Sequence, residues 1–350
     1  MLDNARILVT GGTGSFGHAF LRHALENYQV REIVVFSRDE FKQYQMAQIW
    51  SPANHPIRYF LGDVRDKERL MRAFNGIDYV VHAAALKQVP ALEENPFEAV
   101  RTNVLGAQNV IEAALERGVK RVVAISTDKA VNPINLYGAT KLAMEKLIIA
   151  ANTYVRYRDV AFSLVRYGNV VGSRGSVIPL YARLLDAGET ELPVTDQRMT
   201  RFWITLDQGV ELVLRALNSA RGGEVFVPKI PSMRITDLVA AIPQECSCRF
   251  IGRRPGEKVH EVLISENEGV RTLDCGDFYV VLPEFAHGDA GLWEQTGRPA
   301  PEGFSYESDA NTQWVSPEQM RTMFEGCRLV VPQGSPAAPG VGAVAGGPTE

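Results

Sequence analysis

The densest chemistry in the chain lies between Ser126 and Lys141, which read STDKAVNPINLYGATK. Asp128 and Lys129 are adjacent, an acid beside an amine, and each biases the other's protonation. Tyr137 and Lys141 stand at i and i+4, so a helix presents both on one face. A cation near a phenol favours the phenolate, which turns an otherwise inert group into a usable acid and base near neutral pH. The four side chains together supply two acid–base pairs in one short span. A solvated strand end could carry the same residues, so the elements around them decide which it is.

Those elements alternate. ARILVT, REIVVFS, IRYFLGD, DYVVHAA, KRVVAIS and VAFSLVRYG are near-continuous apolar runs of strand length, the pattern of strands buried on both faces. Amphipathic stretches at Phe16–Asn27, Lys67–Phe74 and Val104–Arg117 separate them, and Gly118 is a helix C-terminal stop. The fold class expected is α/β, a doubly wound parallel sheet of the dinucleotide-binding kind with a smaller C-terminal substrate lobe. Residues 1–168 are expected to hold mainly the dinucleotide domain and 169–331 mainly the lobe, interleaved with the sheet. The stretch 332–350, PQGSPAAPGVGAVAGGPTE, reads as a disordered tail.

The first strand runs into TGGTGSFG, with Gly11, Gly14 and Gly17 three residues apart. Such glycines permit a tight turn, close approach of backbone N–H groups to a pyrophosphate, and close packing of the next helix, whose positive N-terminus faces the phosphate. The pattern follows an expected strand and opens an expected helix, as the motif requires. The second strand ends in Phe36-Ser37-Arg38-Asp39, with Lys42 beyond. An NAD site places an acid there for the ribose hydroxyls. Ser37 followed by Arg38 and Lys42 favours a 2′-phosphate, hence NADP, while Asp39 either opposes that or caps the next helix. Asp63, in LGDVRD, suits the adenine amino group or a helix N-cap. His82 ends a buried strand and reads as a packed core residue.

With these pieces in place, residues 5–328 resemble the short-chain dehydrogenase/reductase superfamily, and their length and lobe motifs resemble its extended, nucleotide-sugar branch. Enzymes of that branch acting on plain glucose nucleotides typically show Thr-Asp-Glu where this chain has Thr127-Asp128-Lys129. Thr-Asp-Lys resembles the UDP-N-acetylglucosamine 4,6-dehydratases, as do VVFSRDEFKQ, HAAALKQVP, VRYGNVVGSRGSVIP, TDQRMTRFWIT and RPGEKVHE. Retaining members typically carry Met at the position of Tyr137 and inverting members Tyr, so the resemblance implies inversion at C-5. The implied reaction takes UDP-N-acetylglucosamine to UDP-2-acetamido-2,6-dideoxy-β-L-arabino-hex-4-ulose. Tyr137, with Lys141, serves oxidation at C-4, Thr127 bonds the C-4 oxygen, Lys129 removes the C-5 proton and Asp128 protonates the leaving C-6 hydroxyl. The cofactor contacts implied are Gly11, Thr13, Gly14, Ser15, Phe16, Gly17, Ser37, Arg38, Lys42, Asp63, Val64, Ala83, Ala84, Tyr137 and Lys141. Substrate contacts are implied at Lys87, Asn169, Arg201, Arg254 and Glu257, although Arg254 and Glu257 also read as a surface ion pair and Asn169 as a turn residue. A homo-oligomer, dimer or hexamer, is the expected assembly.

Composition agrees with an ordinary globular enzyme: 45% hydrophobic, 22% charged, net charge −4 over 350 residues. That charge offers nucleic acid and anionic membranes no general attraction, so an anionic substrate needs local cations. No apolar run reaches the roughly 18 residues of a membrane helix. Four sparse cysteines and an N-terminus that enters a strand at once imply a reducing, cytoplasmic setting, and Cys246-Ser-Cys248 lacks co-ligands for a metal. The rivals are a retaining dehydratase, a nucleotide-sugar epimerase, which needs only the Tyr137 pair, and a non-catalytic NADP-binding regulator. Gly276–Ser305 matches the family least.

Overall fold

The computed structural model describes residues 2–155, 160–284 and 291–328. Six parallel strands form the centre of the sheet: β1 (Arg6–Thr10), β2 (Glu32–Ser37), β3 (Ile57–Leu61), β4 (Tyr79–His82), β5 (Arg121–Thr127) and β6 (Ala161–Tyr167). Their spatial order is β3-β2-β1-β4-β5-β6. The order reverses between β1 and β4, and in such sheets ligands bind outside the strand C-termini at that switch. Valines stack in register across the middle, Val9 facing Val35 on one side and Val81 on the other. β3 departs from the expectation of a strand buried on both faces. It is an edge strand, so Arg58 and Leu61 are exposed while Ile57 and Phe60 enter the core.

The helices that position the site are α1 (Ser15–Asn27), α2 (Glu40–Ile49), α3 (Lys67–Ala73), α4 (Val89–Glu94), α5 (Pro96–Ala99), α6 (Gly106–Arg117) and α7 (Leu136–Ala151). α6 ends at Gly118, whose φ of 69° is the left-handed stop read from sequence. At its other end lies a wider π-helical turn, Val100–Leu105, where an amphipathic helix was expected to begin near Val104. The turn buries Asn103, which holds both backbone groups of Leu86, at 2.8 and 2.9 Å, and donates to Thr140 Oγ1 at 3.0 Å. π-turns are uncommon and cluster at functional sites. Here one ties the segment after β4 to α7.

Beyond residue 168 the chain builds a second lobe yet returns to the sheet. Val225–Pro228 pairs parallel with β6, and Phe278–Val281, Thr272–Asp274 and Arg298–Pro299 extend that edge antiparallel. The lobe's own core gathers Trp203, Tyr181, Met233 and Leu238 beside a three-stranded sheet of Asn169–Val170, Thr200–Ile204 and Ser232–Arg234. Within Gly276–Ser305, the least family-like stretch, described residues reach the main core: Trp293 sets its ring edge on Phe226 at 5.5 Å and donates to Glu224 Oε1 at 3.0 Å. The expected tail, 332–350, lies outside the described residues. No helix among the described residues is long and apolar enough to cross a membrane.

Candidate active site

A cleft of about 710 Å³ opens at the switch point, bounded by the C-terminal ends of the parallel strands. At its floor the β1–α1 turn is backbone-lined by necessity. Gly11 has φ +65°, and a Cβ there would lie 2.8 Å from Ala84 Cα. A Cβ on Gly17 would lie 1.9 Å from the Gly12 carbonyl oxygen, so only glycine lets α1 pack this tightly on the turn. α1 is preceded by Gly14 as N-cap, with extended backbone and no side-chain cap, so no cap side chain occupies its first-turn N–H groups, and Gly14, Ser15 and Phe16 line the cleft. This cradle fits a dinucleotide pyrophosphate. Thr13, Gly14, Ser15, Phe16, Val64, Ala83 and Ala84 line the cleft with Gly11; Gly17 acts behind it, through packing.

At the adenosine end, Ser37 is buried and shares a hydrogen bond with Thr13 Oγ1 at 2.9 Å. Asp39 caps α2, accepting from the Lys42 N–H at 3.0 Å, and pairs with Lys42 Nζ at 2.7 Å. Hydrogen bonds from the Lys42 side chain and backbone hold Asp39's pKa below the usual carboxylate range. Arg38 lies 3.6 Å from Asp63, which is itself gripped by Arg65 at 2.8 Å. Burial raises the Asp63 pKa, but the hydrogen bonds and charge of Arg65 and the charge of Arg38 outweigh it, and the net shift is downward. Of the two readings of Asp63, the N-cap belongs to another residue: Asp66 caps α3. Arg38, Lys42 and Asp63 all line the cleft.

β5 delivers Thr127 to the other end and runs into a single 3₁₀ turn, Asp128–Ala130. Asp128 is fully buried; its Oδ1 accepts from Thr127 Oγ1 at 2.8 Å and from Lys129 Nζ at 3.0 Å. Its Oδ2 is buried with no hydrogen-bond partner among the described residues. Burial works against the Lys129 charge, but Asp128 and then Glu261 more than offset it, so the amine is held above its ordinary pKa. Lys129 also reaches Asn169 Oδ1 at 3.4 Å. Lys129, Thr127, Tyr137, Lys141, Lys87 and Asn169 line the cleft together.

α7 presents Tyr137 and Lys141 one turn apart, capped by Asn135, which accepts from the Gly138 N–H at 2.8 Å. The pair does not behave as its spacing suggested. Burial pushes Tyr137 up to about 12, and the cation that pulls it down is Lys129 rather than Lys141. Burial also pushes Lys141 down to about 8, and its amine donates to the Ile125 carbonyl at 2.6 Å. Behind α7, Glu145 accepts from Arg166 Nη2 at 2.6 Å and Ser126 Oγ, and Glu268 joins the same guanidinium at 2.9 Å. This buried cluster bolts the helix to β6 and to the second lobe. His82 accepts or donates with Thr10 Oγ1 at 2.8 Å, and burial lowers its pKa to about 3, so it is a neutral core residue.

The sequence-derived substrate contacts divide. Lys87 and Asn169 reach the cleft; Arg201, Arg254 and Glu257 are not among its lining residues. Arg201 is buried, with Nη1 on the carbonyls of Thr200 and Val259 and Nη2 on that of Lys258. Arg254 and Glu257 form a partly exposed ion pair at 3.8 Å. Two residues escaped the sequence reading. Arg174, from the GSRGS turn, lines the cleft and lies over the phosphate turn, its N–H on Ser15 Oγ at 3.3 Å. Glu261, at the end of RPGEKVHE, reaches Lys129 Nζ at 3.4 Å. No sequence signal separated it from Glu257, four residues earlier.

Residues 7–283 match the family model described as "Polysaccharide biosynthesis protein". The chain is 49% identical over 91% of its length, and 97% of the relative's, to a Campylobacter jejuni UDP-N-acetylglucosamine 4,6-dehydratase (inverting). It is 44% identical over 80% of its length, and 83% of the relative's, to a Rickettsia canadensis UDP-glucose 4-epimerase. The fold superposes on Pen from Bacillus thuringiensis with a TM-score of 0.86 and 35% identity, covering 95% of this chain and all of that one. A dTDP-glucose 4,6-dehydratase, DesIV from Streptomyces venezuelae, solved with NAD and TYD bound, gives 0.63 and 25% over 73% of this chain and 86% of that one. A glycine cradle at the switch point and a Tyr-Lys helix on one cleft, an acid–amine pair whose Lys129 lines it while Asp128 lies buried behind, and matches of this extent make the chain a member of the polysaccharide biosynthesis protein family.

Proposed function

We propose that the chain is an inverting UDP-N-acetylglucosamine 4,6-dehydratase, a hydro-lyase that forms UDP-2-acetamido-2,6-dideoxy-β-L-arabino-hex-4-ulose and water. The observation that carries this reading is that Lys129 and Tyr137 line one cleft and that Asp128, buried directly behind, holds the Lys129 amine at 3.0 Å. A C-4 epimerase has no proton to take from C-5 and no hydroxyl to expel, so it has no use for that pair.

The cradle fits a nicotinamide dinucleotide, which when bound accepts hydride from C-4 and returns it to C-6. Tyr137 takes the C-4 hydroxyl proton as the phenolate, a form that burial disfavours and the still-charged Lys129 amine favours, with the Thr127 hydroxyl beside it. The ketone at C-4 acidifies C-5. Lys129 must be neutral to act there, and the carboxylates around it hold it charged. One proton shift resolves this. Passing a proton from Lys129 Nζ to Asp128 across 3.0 Å yields a neutral amine and a neutral acid, the two species elimination requires. Lys129 then takes the C-5 proton, Asp128 protonates the departing C-6 oxygen, and the ion pair is restored. Net inversion follows when C-5 regains a proton on its opposite face; the proton that Tyr137 took from the C-4 hydroxyl balances it and the phenolate is restored.

NADP is the cofactor we favour, on Ser37 at the end of β2 with Arg38 and Lys42 beside it; a 2′-phosphate there competes with Asp63 and Asp39 for the two cations. Lys87 and Asn169 contact the sugar and its phosphates; Arg201, Arg254 and Glu257 complete the nucleotide site, the last two by exchanging their ion pair for the ligand. The enzyme works in the cytoplasm as a homo-oligomer.

Incubating purified protein with UDP-N-acetylglucosamine in deuterated water tests the reading. The expected product shows a new methyl group by proton NMR and deuterium at C-5. A C-4 epimer without a methyl group would establish the epimerase instead, and unchanged substrate with NADP supplied would remove both.

A further inference from the structure

The reaction uses Asp128, Lys129, Tyr137 and Lys141, yet a second buried carboxylate touches the same amine and has no part in it. Glu261 is 2% exposed and precedes the strand Val262–Ile264 of the second lobe. Its Oε1 stands 3.4 Å from Lys129 Nζ and 3.9 Å from Arg201 Nε, and its Oε2 stands 3.7 Å from Lys258 Nζ. An isolated buried carboxylate is strongly unfavourable, so three cations around one is an arrangement with a purpose or a compensation.

The cations differ in what else holds them. Arg201 is fixed on three carbonyls and Lys258 on the carbonyl of Val131, so both are anchored without Glu261. Among the described residues, the Lys129 amine has only side-chain partners: Asp128 on its own turn, Glu261 across the lobe boundary and, more distantly, Asn169. The backbone of Glu261 is pinned in turn by Ser308, whose Oγ accepts its N–H and whose N–H reaches its carbonyl, both at 2.9 Å.

We propose that Glu261 is a positioning residue: reaching from the substrate lobe, its carboxylate braces the Lys129 amine against Asp128 and so sets where the base stands and how firmly it keeps its proton. The proposal deepens the dehydratase reading and rests on it for the role of Lys129. The groups facing Lys129 are Asp128 and Thr127 on the β5 end, Tyr137 on α7, Asn169 and Arg201 in the lobe, Lys87 after β4, Lys258, and Glu261. Among these charges, Asp128 and Glu261 favour the ammonium, whereas Arg201 opposes it. Removing Glu261 therefore loosens the proton, and the sign is fixed: Lys129 loses it at lower pH.

The test reads Lys129 directly. Full-length protein is treated with trace acetic anhydride across pH, and acetylation of the Lys129 peptide is followed by mass spectrometry. In Glu261→Gln the midpoint of Lys129 reactivity should fall by about one pH unit or more. In Glu261→Asp, which keeps the charge, it should move back toward wild type. With UDP-N-acetylglucosamine, Glu261→Gln should lose about tenfold or more in kcat with a smaller change in KM, as expected when a supporting residue misplaces a catalytic one. An unchanged midpoint overturns the proposal. Should Glu261→Gln alone not fold, the charge-balanced Glu261→Gln/Lys258→Gln protein is read against Lys258→Gln with the same two outcomes, since Lys258 and Lys129 repel one another and the single Lys258 variant takes that effect out of the comparison. The labelling needs no turnover. A wild-type protein inert toward the substrate would sink the dehydratase reading while leaving the Glu261 midpoint to decide this one.

Discussion

The two ends of the cleft handle charge in opposite ways. At the end beside β2, Arg38, Lys42, Asp39 and Asp63 form ion pairs within reach of solvent, and the neighbouring β1–α1 turn presents backbone rather than side-chain charge. Around Lys129 the ion pairs are buried, with Asp128 at 0% and Glu261 at 3% side-chain exposure. Exposed pairs contribute little and are screened by salt, whereas buried charges shift one another's proton affinity strongly. In the function proposed above, one end holds the cofactor and the other transfers protons. The difference arises from burial, since the residue types at the two ends are much the same.

Substitutions at the buried end should do most to break that contrast. Lys129→Met should reduce dehydration on the order of 10²- to 10⁴-fold, the usual contribution of a positioned base, with dinucleotide affinity retained. Methyl formation by NMR and a fluorescence titration with NADPH read the two halves, and undiminished dehydration would take Lys129 out of the chemistry. Gly17→Ala probes the holding end where it is backbone-built. A Cβ 1.9 Å from the Gly12 oxygen should lower stability by about 1–3 kcal/mol and weaken dinucleotide binding, measurable by thermal unfolding and the same titration.

Lys141→Met separates function from stability. The folded amine titrates near 8 against an ordinary 10.5, so below pH 8 the folded chain carries an ammonium that the unfolded chain holds more easily. Between those values only the unfolded chain binds the proton in quantity, and wild-type stability rises with pH. Lys141→Met should therefore be inactive yet more stable at pH 7 by about 1–3 kcal/mol, an advantage that fades above pH 10.5. Urea unfolding at pH 7 and pH 11 checks it, and an equal difference at both would refute the burial argument. The smallest effect belongs to the exposed pairs: Arg38→Ala with Lys42→Ala should cut the preference for NADP over NAD by about tenfold, less at high salt.

How far this was legible depends on whether a feature is local. TGGTGSFG announces its turn because Gly11 and Gly17 act on backbone a few residues or one strand away, and Tyr137 and Lys141 share a helix face by periodicity alone. The strand runs gave the parallel sheet, though not that β3 would lie at its edge, because edge position follows from pairing order. Glu261 was invisible for the same reason: nothing in RPGEKVHE distinguishes it from Glu257 until the chain folds.

By itself, then, the order of residues determined the glycine cradle, the alternation of strand and helix, and the adjacency of Asp128 and Lys129, since each depends on neighbours along the chain. Only the tertiary structure decided that Lys129, Arg201, Lys258 and Glu261 would meet, that Tyr137 would be pushed up to about 12, and that Lys141 would face the Ile125 carbonyl. Proton affinity depends on how much water is excluded and which charges remain nearby: the charges on Tyr137 come from the neighbouring Asp128–Lys129 turn, whereas Glu261 reaches Lys129 from a segment far along the chain, and only folding brings it there.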